Sequence, residues 1–378
     1  MASAGSASGG FRAAHASAVD WEAAVAACLE DLAPLPDGAN VGFLYLTDHL
    51  VDSVAEIHGA LRRGTGIEAW VGSTGIGVCA TGIEYFDQPA LAVMVGRLPA
   101  DEFALFDSAR DDLAAFVDQN RPWLDRSPGN FGVVHADPRN PEIMQLIPTF
   151  AEAASAFLVG ALTSSRAAHT QLAGQVTEGG LSGLLVSGQV GVATGLTQGC
   201  SPIGEAYVVT EARDNIVISL DDRPALDVFK EAVGEILARD LSRVAGYIFA
   251  AVPVRGADWD DYLVRNLAGF DEREGLLAIA EVLEPGQRLM FCRRDQASAQ
   301  EDLERMLAGL KGRLDGPPQA ALYHTCLARG PNLFGPASQE LKAIQAALGD
   351  VPLVGFFGNG EISAGRLYTY TGVLSLFR

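Results

Sequence analysis

Val41-Gly-Phe-Leu-Tyr-Leu-Thr47 is a short apolar run of strand length. Residues 48–63 follow it with helical spacing and carry His49 and His58. Residues 67–71 form a second strand, Gly72-Ser-Thr-Gly75-Ile-Gly77 a glycine-rich link, and residues 90–98 a third strand. The same order then recurs. Residues 131–135 read as a strand, 140–153 as a helix with Pro141 suited to its first turn, Ala156–Leu162 as a strand, and 181–187 as another after a polar stretch. Near the end, 320–325, 337–348, 352–357 and 370–377 repeat it once more, with the link Gly358-Asn-Gly360-Glu-Ile-Ser-Ala-Gly365 before the last strand. A strand, a helix and two strands make a unit whose helix covers one sheet face. The expected fold is therefore α/β (α+β): repeated βαββ units with mixed, largely antiparallel sheets in two domains.

Between the second and third repeats the pattern changes. Residues 206–220 predict a hairpin whose turn uses Asp214-Asn215. Asp222 is placed as the cap of a helix over 224–238. Residues 246–254 read as a strand, 276–283 and 287–292 as a hairpin joined by Glu284-Pro-Gly286, and 296–310 as a helix. Near the start, 20–32 predict a helix capped by Asp20 and stopped by Pro34 and Pro36. The expected division is a disordered leader over 1–18, an N-terminal domain over 19–225 and a C-terminal domain over 226–378.

Composition narrows the function. The chain has 378 residues, 48% of them hydrophobic, which is ample for a sizeable core. Its formal net charge is -20, from 47 acidic and 27 basic side chains. Such a field repels phosphate backbones and anionic lipid, so neither nucleic-acid nor membrane binding is expected. Lysine occurs only at Lys230, Lys311 and Lys342. The five cysteines are widely spaced with no CxxC pair, which predicts reduced thiols in a cytoplasmic protein. The first ten residues lack the basic and apolar regions of a secretory signal.

Gln198-Gly-Cys-Ser-Pro-Ile-Gly-Glu205 places a thiol, a hydroxyl and a carboxylate in what reads as a turn-rich segment between strands. Polar groups presented at a strand end suit a small ligand. Further motifs follow in order: Leu220-Asp-Asp-Arg-Pro-Ala-Leu226, Asp261-Tyr-Leu-Val-Arg265 with Gly269-Phe-Asp271, Phe291-Cys-Arg-Arg-Asp295, Ala328-Arg-Gly330 with Leu333-Phe-Gly335, and Gly355-Phe-Phe-Gly-Asn-Gly-Glu361 with Tyr370-Thr-Gly372. In these motifs and their order the chain resembles the FIST proteins over nearly its whole length. The resemblance implies a sensory module that takes small ligands, amino acids among those suggested, and that in many relatives precedes a kinase, cyclase or chemoreceptor output. No such output follows here before Arg378, so transduction is expected to use a signalling partner or an altered oligomer. The family supplies no established catalytic residues.

The candidate ligand residues are Cys200, Ser201, Glu205, Arg223, Ser164, Asn359 and Glu361. Glu205 or Glu361 could accept a ligand ammonium, or could instead hold its own loop. Arg223 could meet a carboxylate with its planar fork, or bridge to Asp221 or Asp295. Cys200 is a candidate nucleophile only if a histidine such as His135, His169 or His324 reaches it. The glycine links match neither GxxxxGK[ST] nor a full GxGxxG, and the histidines lack ligand spacing, so no cofactor and no metal are expected. The leading expectation is a cytoplasmic binding module for a small polar metabolite, with the segments near 200 and 360 meeting at one hollow. A Cys200-dependent hydrolase or transferase and a protein-interaction scaffold are the alternatives.

Overall fold

In a computed structural model, residues 10–109, 112–126, 129–254 and 261–378 are described. By packing, the chain divides into two compact units. One contains the chain up to Thr197 with Leu303–Leu367 and Thr371–Arg378, and the other contains Gln198–Asp302 with Tyr368–Tyr370.

The first unit holds all three repeats, and each repeat is the centre of one sheet. Val41–Thr47 pairs parallel with Ala69–Gly75 and antiparallel with Ala90–Gly96. Asn130–Ala136 does the same with Ala156–Leu162 and Leu181–Val186. Ala320–Cys326 does so with Leu353–Gly358 and Thr371–Phe377. The parallel strands are joined through the helices Val54–Thr65, Ile143–Ala153 and Gln339–Leu348. A parallel pair requires such a crossover, and the crossover covers the outer sheet face. The fold is thus mixed α/β with βαββ repeats.

One core joins the three inner faces. Phe43, Val71 and Met94 from the first sheet pack with Val133, Val159 and Leu184 from the second and Leu322, Val354 and Phe377 from the third. Through this shared core the last repeat packs into the first compact unit. Part of the leader expected over 1–18 is an ordered strand. Phe11–Ser17 is a strand on Ala90–Gly96, with Phe11 buried against Phe377; residues 1–9 lie outside the described residues.

The second unit is an antiparallel sheet around Phe229, Leu277 and Phe291. Two expectations fail in it. Residues 198–205 are not a turn: Cys200–Arg213 is one strand, paired with Arg288–Arg294. The register shifts between Ile203 and Tyr207, and Gly204 has φ +70° inside that shift. Its glycine marks a bulge. Nor do Leu276–Ile279 and Arg288–Arg294 pair as a hairpin; the former lies between Ile216–Leu220 and Leu267–Asp271. The hairpin turning at Asp214 does form, with Asp214 at φ 55°. The following helix is Ala225–Val233, and Asp222 supplies no side-chain cap to it.

Candidate functional site

Each repeat brings its two parallel strands unusually close. A Cβ on Gly72, Gly160 or Gly355 would lie 1.8 Å from the carbonyl oxygen of Leu44, Val134 or Tyr323 respectively. Only glycine fits there. The next residue on each first strand is Tyr45, His135 or His324, so these three occupy equivalent positions in the three repeats. They meet in the core. Tyr45 Oη lies 3.1 Å from Nε2 of His324 and 3.1 Å from Nε2 of His135, and all three side chains are fully buried. Phe356 stacks on Tyr45 at 5.3 Å. A phenol has one proton, so Tyr45 donates to one imidazole and accepts from the other, and the two rings hold opposite tautomers. Burial drives both histidines down, His324 to about 3, which keeps them neutral.

A second polar cluster lies at the carboxyl ends of the parallel strands of the third repeat. Arg329 is completely buried; its Nε donates to Glu340 Oε1 at 2.8 Å, and its Nη2 lies 2.7 Å from the same oxygen. Tyr323 donates to Glu340 Oε1 at 2.6 Å, the Gly330 amide donates to Oε2 at 3.0 Å, and the guanidinium sits 5.0 Å from the Phe334 ring centre. Glu361 is also completely buried. Its Oε2 accepts from the Thr371 amide at 3.1 Å and the Thr371 hydroxyl at 2.7 Å, while Oε1 has no partner among the described residues. Burial pushes Glu361 up to about 8, against the Thr371 hydrogen bonds, the charge of Arg329 and a hydrogen bond with Cys326. Glu361 is therefore mostly protonated at neutral pH.

The structure brings Ser164, Asn359 and Glu361 together. Glu361 pairs with Ala161, the Asn359 amide donates to Leu162 O at 3.0 Å, and the Leu162 amide donates to Gly360 O at 2.8 Å. Ser164 Oγ donates to Phe357 O at 2.5 Å and accepts from the Ile76 amide at 2.9 Å. Ser164 is thus buried and locks strand ends together, whereas the Asn359 side chain is exposed.

The remaining candidates belong to the second unit. Cys200 is buried, and its carbonyl accepts from Tyr262 Oη at 2.6 Å. A thiol hydrogen bond with Cys200, together with burial, holds Cys292 far above its ordinary pKa. The unit contains none of the six histidines, so no imidazole of its own unit serves Cys200. Ser201 Oγ donates to Asp295 at 3.2 Å, and Asp295 also receives Ser298 Oγ at 2.8 Å. Glu205 is exposed on its strand. Arg223 is exposed and paired with Glu231, so it bridges to neither Asp221 nor Asp295.

Sequence reading missed the Tyr45–His135–His324 set and the Arg329–Glu340 pair. The signal for the first was present: Val71-Gly72, Val159-Gly160 and Val354-Gly355 mark equivalent points of the three repeats. Among the described residues no three His, Cys, Asp or Glu side chains group as a metal site, and no helix is long and apolar enough to cross a membrane.

Two family models match in succession: the FIST N domain over residues 40–223 and the FIST C domain over 225–364. An uncharacterized protein of Mycobacterium tuberculosis is 31% identical over 350 residues, covering 88% of each chain. An uncharacterized protein of Mycobacterium bovis is 30% identical over 340 residues, covering 86% of this chain and 87% of the relative. The buried polar cluster at Arg329 and Glu361 is built from motifs that carried the resemblance, and the matched models span both; this chain belongs to the FIST family, with a FIST N domain followed by a FIST C domain.

Proposed function

We propose that this FIST protein is a cytoplasmic sensory module that binds a small polar metabolite carrying an amine, such as an amino acid, and passes the signal to a protein partner. Glu361 receives the ammonium group. The observation that carries this reading is a fully buried carboxyl group whose Oε2 is held by Thr371 and whose Oε1 makes no hydrogen bond of standard geometry among the described residues, the Cys326 thiol being a further group that bears on it. An unpaired buried oxygen costs about 1–3 kcal/mol, and an ammonium ligand offsets that cost by a charge-assisted hydrogen bond. The location at the carboxyl ends of parallel strands fits a ligand site. Thr371 fixes the carboxyl orientation, and Ser164 ties down the neighbouring strand ends.

A Cys200-dependent hydrolase is less well supported, because its thiol is buried and hydrogen-bonded to another thiol. The test is mass spectrometry of small molecules released on denaturing the purified protein, run in parallel on Glu361→Gln. The proposal expects an amine-bearing metabolite from the native chain, with recovery falling to background in the variant. Equal recovery from both proteins would contradict it.

A further inference from the structure

The starts of the second repeat's parallel strands, Asn130–Ala136 and Ala156–Leu162, border an open groove of about 310 Å³, formed within the first unit. Phe131 and Phe157 lie near the starts of their strands, and with Val190 and Val192 they give it an apolar floor. Phe157 is 39% exposed, one of the few exposed large apolar side chains among the described residues. Arg313 and Arg378 line the same groove, and none of its described lining residues has an acidic side chain. Arg313 is anchored, its Nη2 donating to Thr194 O at 2.8 Å, and the Arg378 amide donates to Gly191 O at 2.8 Å.

From this combination we infer that the groove is a second ligand site, for a small organic monoanion with an apolar body. Floor and charge agree on that class. The space is large enough to admit an aromatic carboxylate. The ring would lie on Phe157 and the anionic head would meet the Arg313 guanidinium, whose planar fork suits a carboxylate. The site is distinct from Glu361. Phe157 and Ala161, the partner of Glu361, are four positions apart on one strand, about 13 Å along its axis.

Benzoate is the probe, with isosteric, uncharged benzamide as its control. Both are titrated into the full chain and followed by protein NMR, with ligand-to-protein cross-relaxation locating the ring. Saturable benzoate binding is expected, with cross-relaxation to Phe157 and Val192, and benzamide weaker by about threefold to fivefold. Added salt should narrow that gap. Arg313→Gln should bring benzoate down to the benzamide affinity, and Phe157→Ala should weaken both ligands together. Equal binding of the two probes by the unaltered chain, no saturation, or ring contacts away from Phe157 would each overturn the inference. The first comparison needs no variant, so a destabilising substitution cannot obscure the answer. Because benzoate has no amine, its failure would leave the Glu361 reading standing, and the converse also holds.

Discussion

Glu205 and Glu361 look alike in sequence: each is a glutamate in a glycine-flanked segment near an apolar strand. Their environments are opposite. Glu205 stands exposed on the long strand Cys200–Arg213, beside a bulge. Glu361 is enclosed, hydrogen-bonded through one oxygen and pushed up to about 8. The same contrast separates the two arginines. Arg223 is an exposed surface partner of Glu231, whereas Arg329 is fully buried against Glu340. The lesson is that enclosure, which local sequence does not report, decides which carboxylate can be tuned.

The sharpest way to break this contrast is to remove one member of each arginine pair. Arg329→Met strips buried Glu340 of its guanidinium partner, and should destabilise the protein by about 3–5 kcal/mol in denaturant unfolding. Arg223→Ala should leave the unfolding midpoint unchanged. Equal effects would refute the difference in environment.

Acid provides the next test. His324, held at about 3, and His135, also held low, are neutral when folded but take protons near pH 6.5 when unfolded. The unfolded state then binds more protons, so their contribution is complete above about pH 6.5 and is lost as pH falls towards 3. For His324 alone the loss approaches about 4 kcal/mol at the acid end, as an order of magnitude. Unfolding followed from pH 7 to 4 should show this decline, and His324→Gln should flatten it. A slope unaltered in that variant would assign the acid sensitivity elsewhere.

Tyr45→Phe is expected to cost less, about 1–3 kcal/mol, because it strips Nε2 of both imidazoles of its partner while leaving the packing intact. A neutral result would mean that the three-ring set does not contribute to stability. The smallest effect belongs to Cys200. Buried and hydrogen-bonded to another thiol, it should label with iodoacetamide near neutral pH no faster than global or local opening allows. Rapid, selective labelling would restore the thiol-enzyme alternative.

The repeats were legible because each combines apolar strand-length runs with one amphipathic helix, a pattern that tertiary context rarely overrides. Ser164, Asn359 and Glu361 stood out as candidates because they follow those strands, and the structure places them near one another. Two things were hidden. Pro202 and Gly204 read as turn residues, but the chain absorbs them as an irregular strand with a bulge. Tyr45, His135 and His324 are separated by 279 positions from first to last. Only superposing the repeats on their Val-Gly pairs reveals that they are equivalent, and a two-domain division of the chain conceals it.

The central claim is that Glu361, protonated when unliganded, is ionised by an incoming ammonium group. Calorimetry of an amine-bearing ligand recovered from the protein, repeated at pH 7 in buffers of different ionisation enthalpy, counts protons exchanged on binding. Release of close to one proton per ligand, present in the native chain and in Glu205→Gln but absent in Glu361→Gln, is the predicted result. Binding without proton release, or release that survives in Glu361→Gln, would contradict the account.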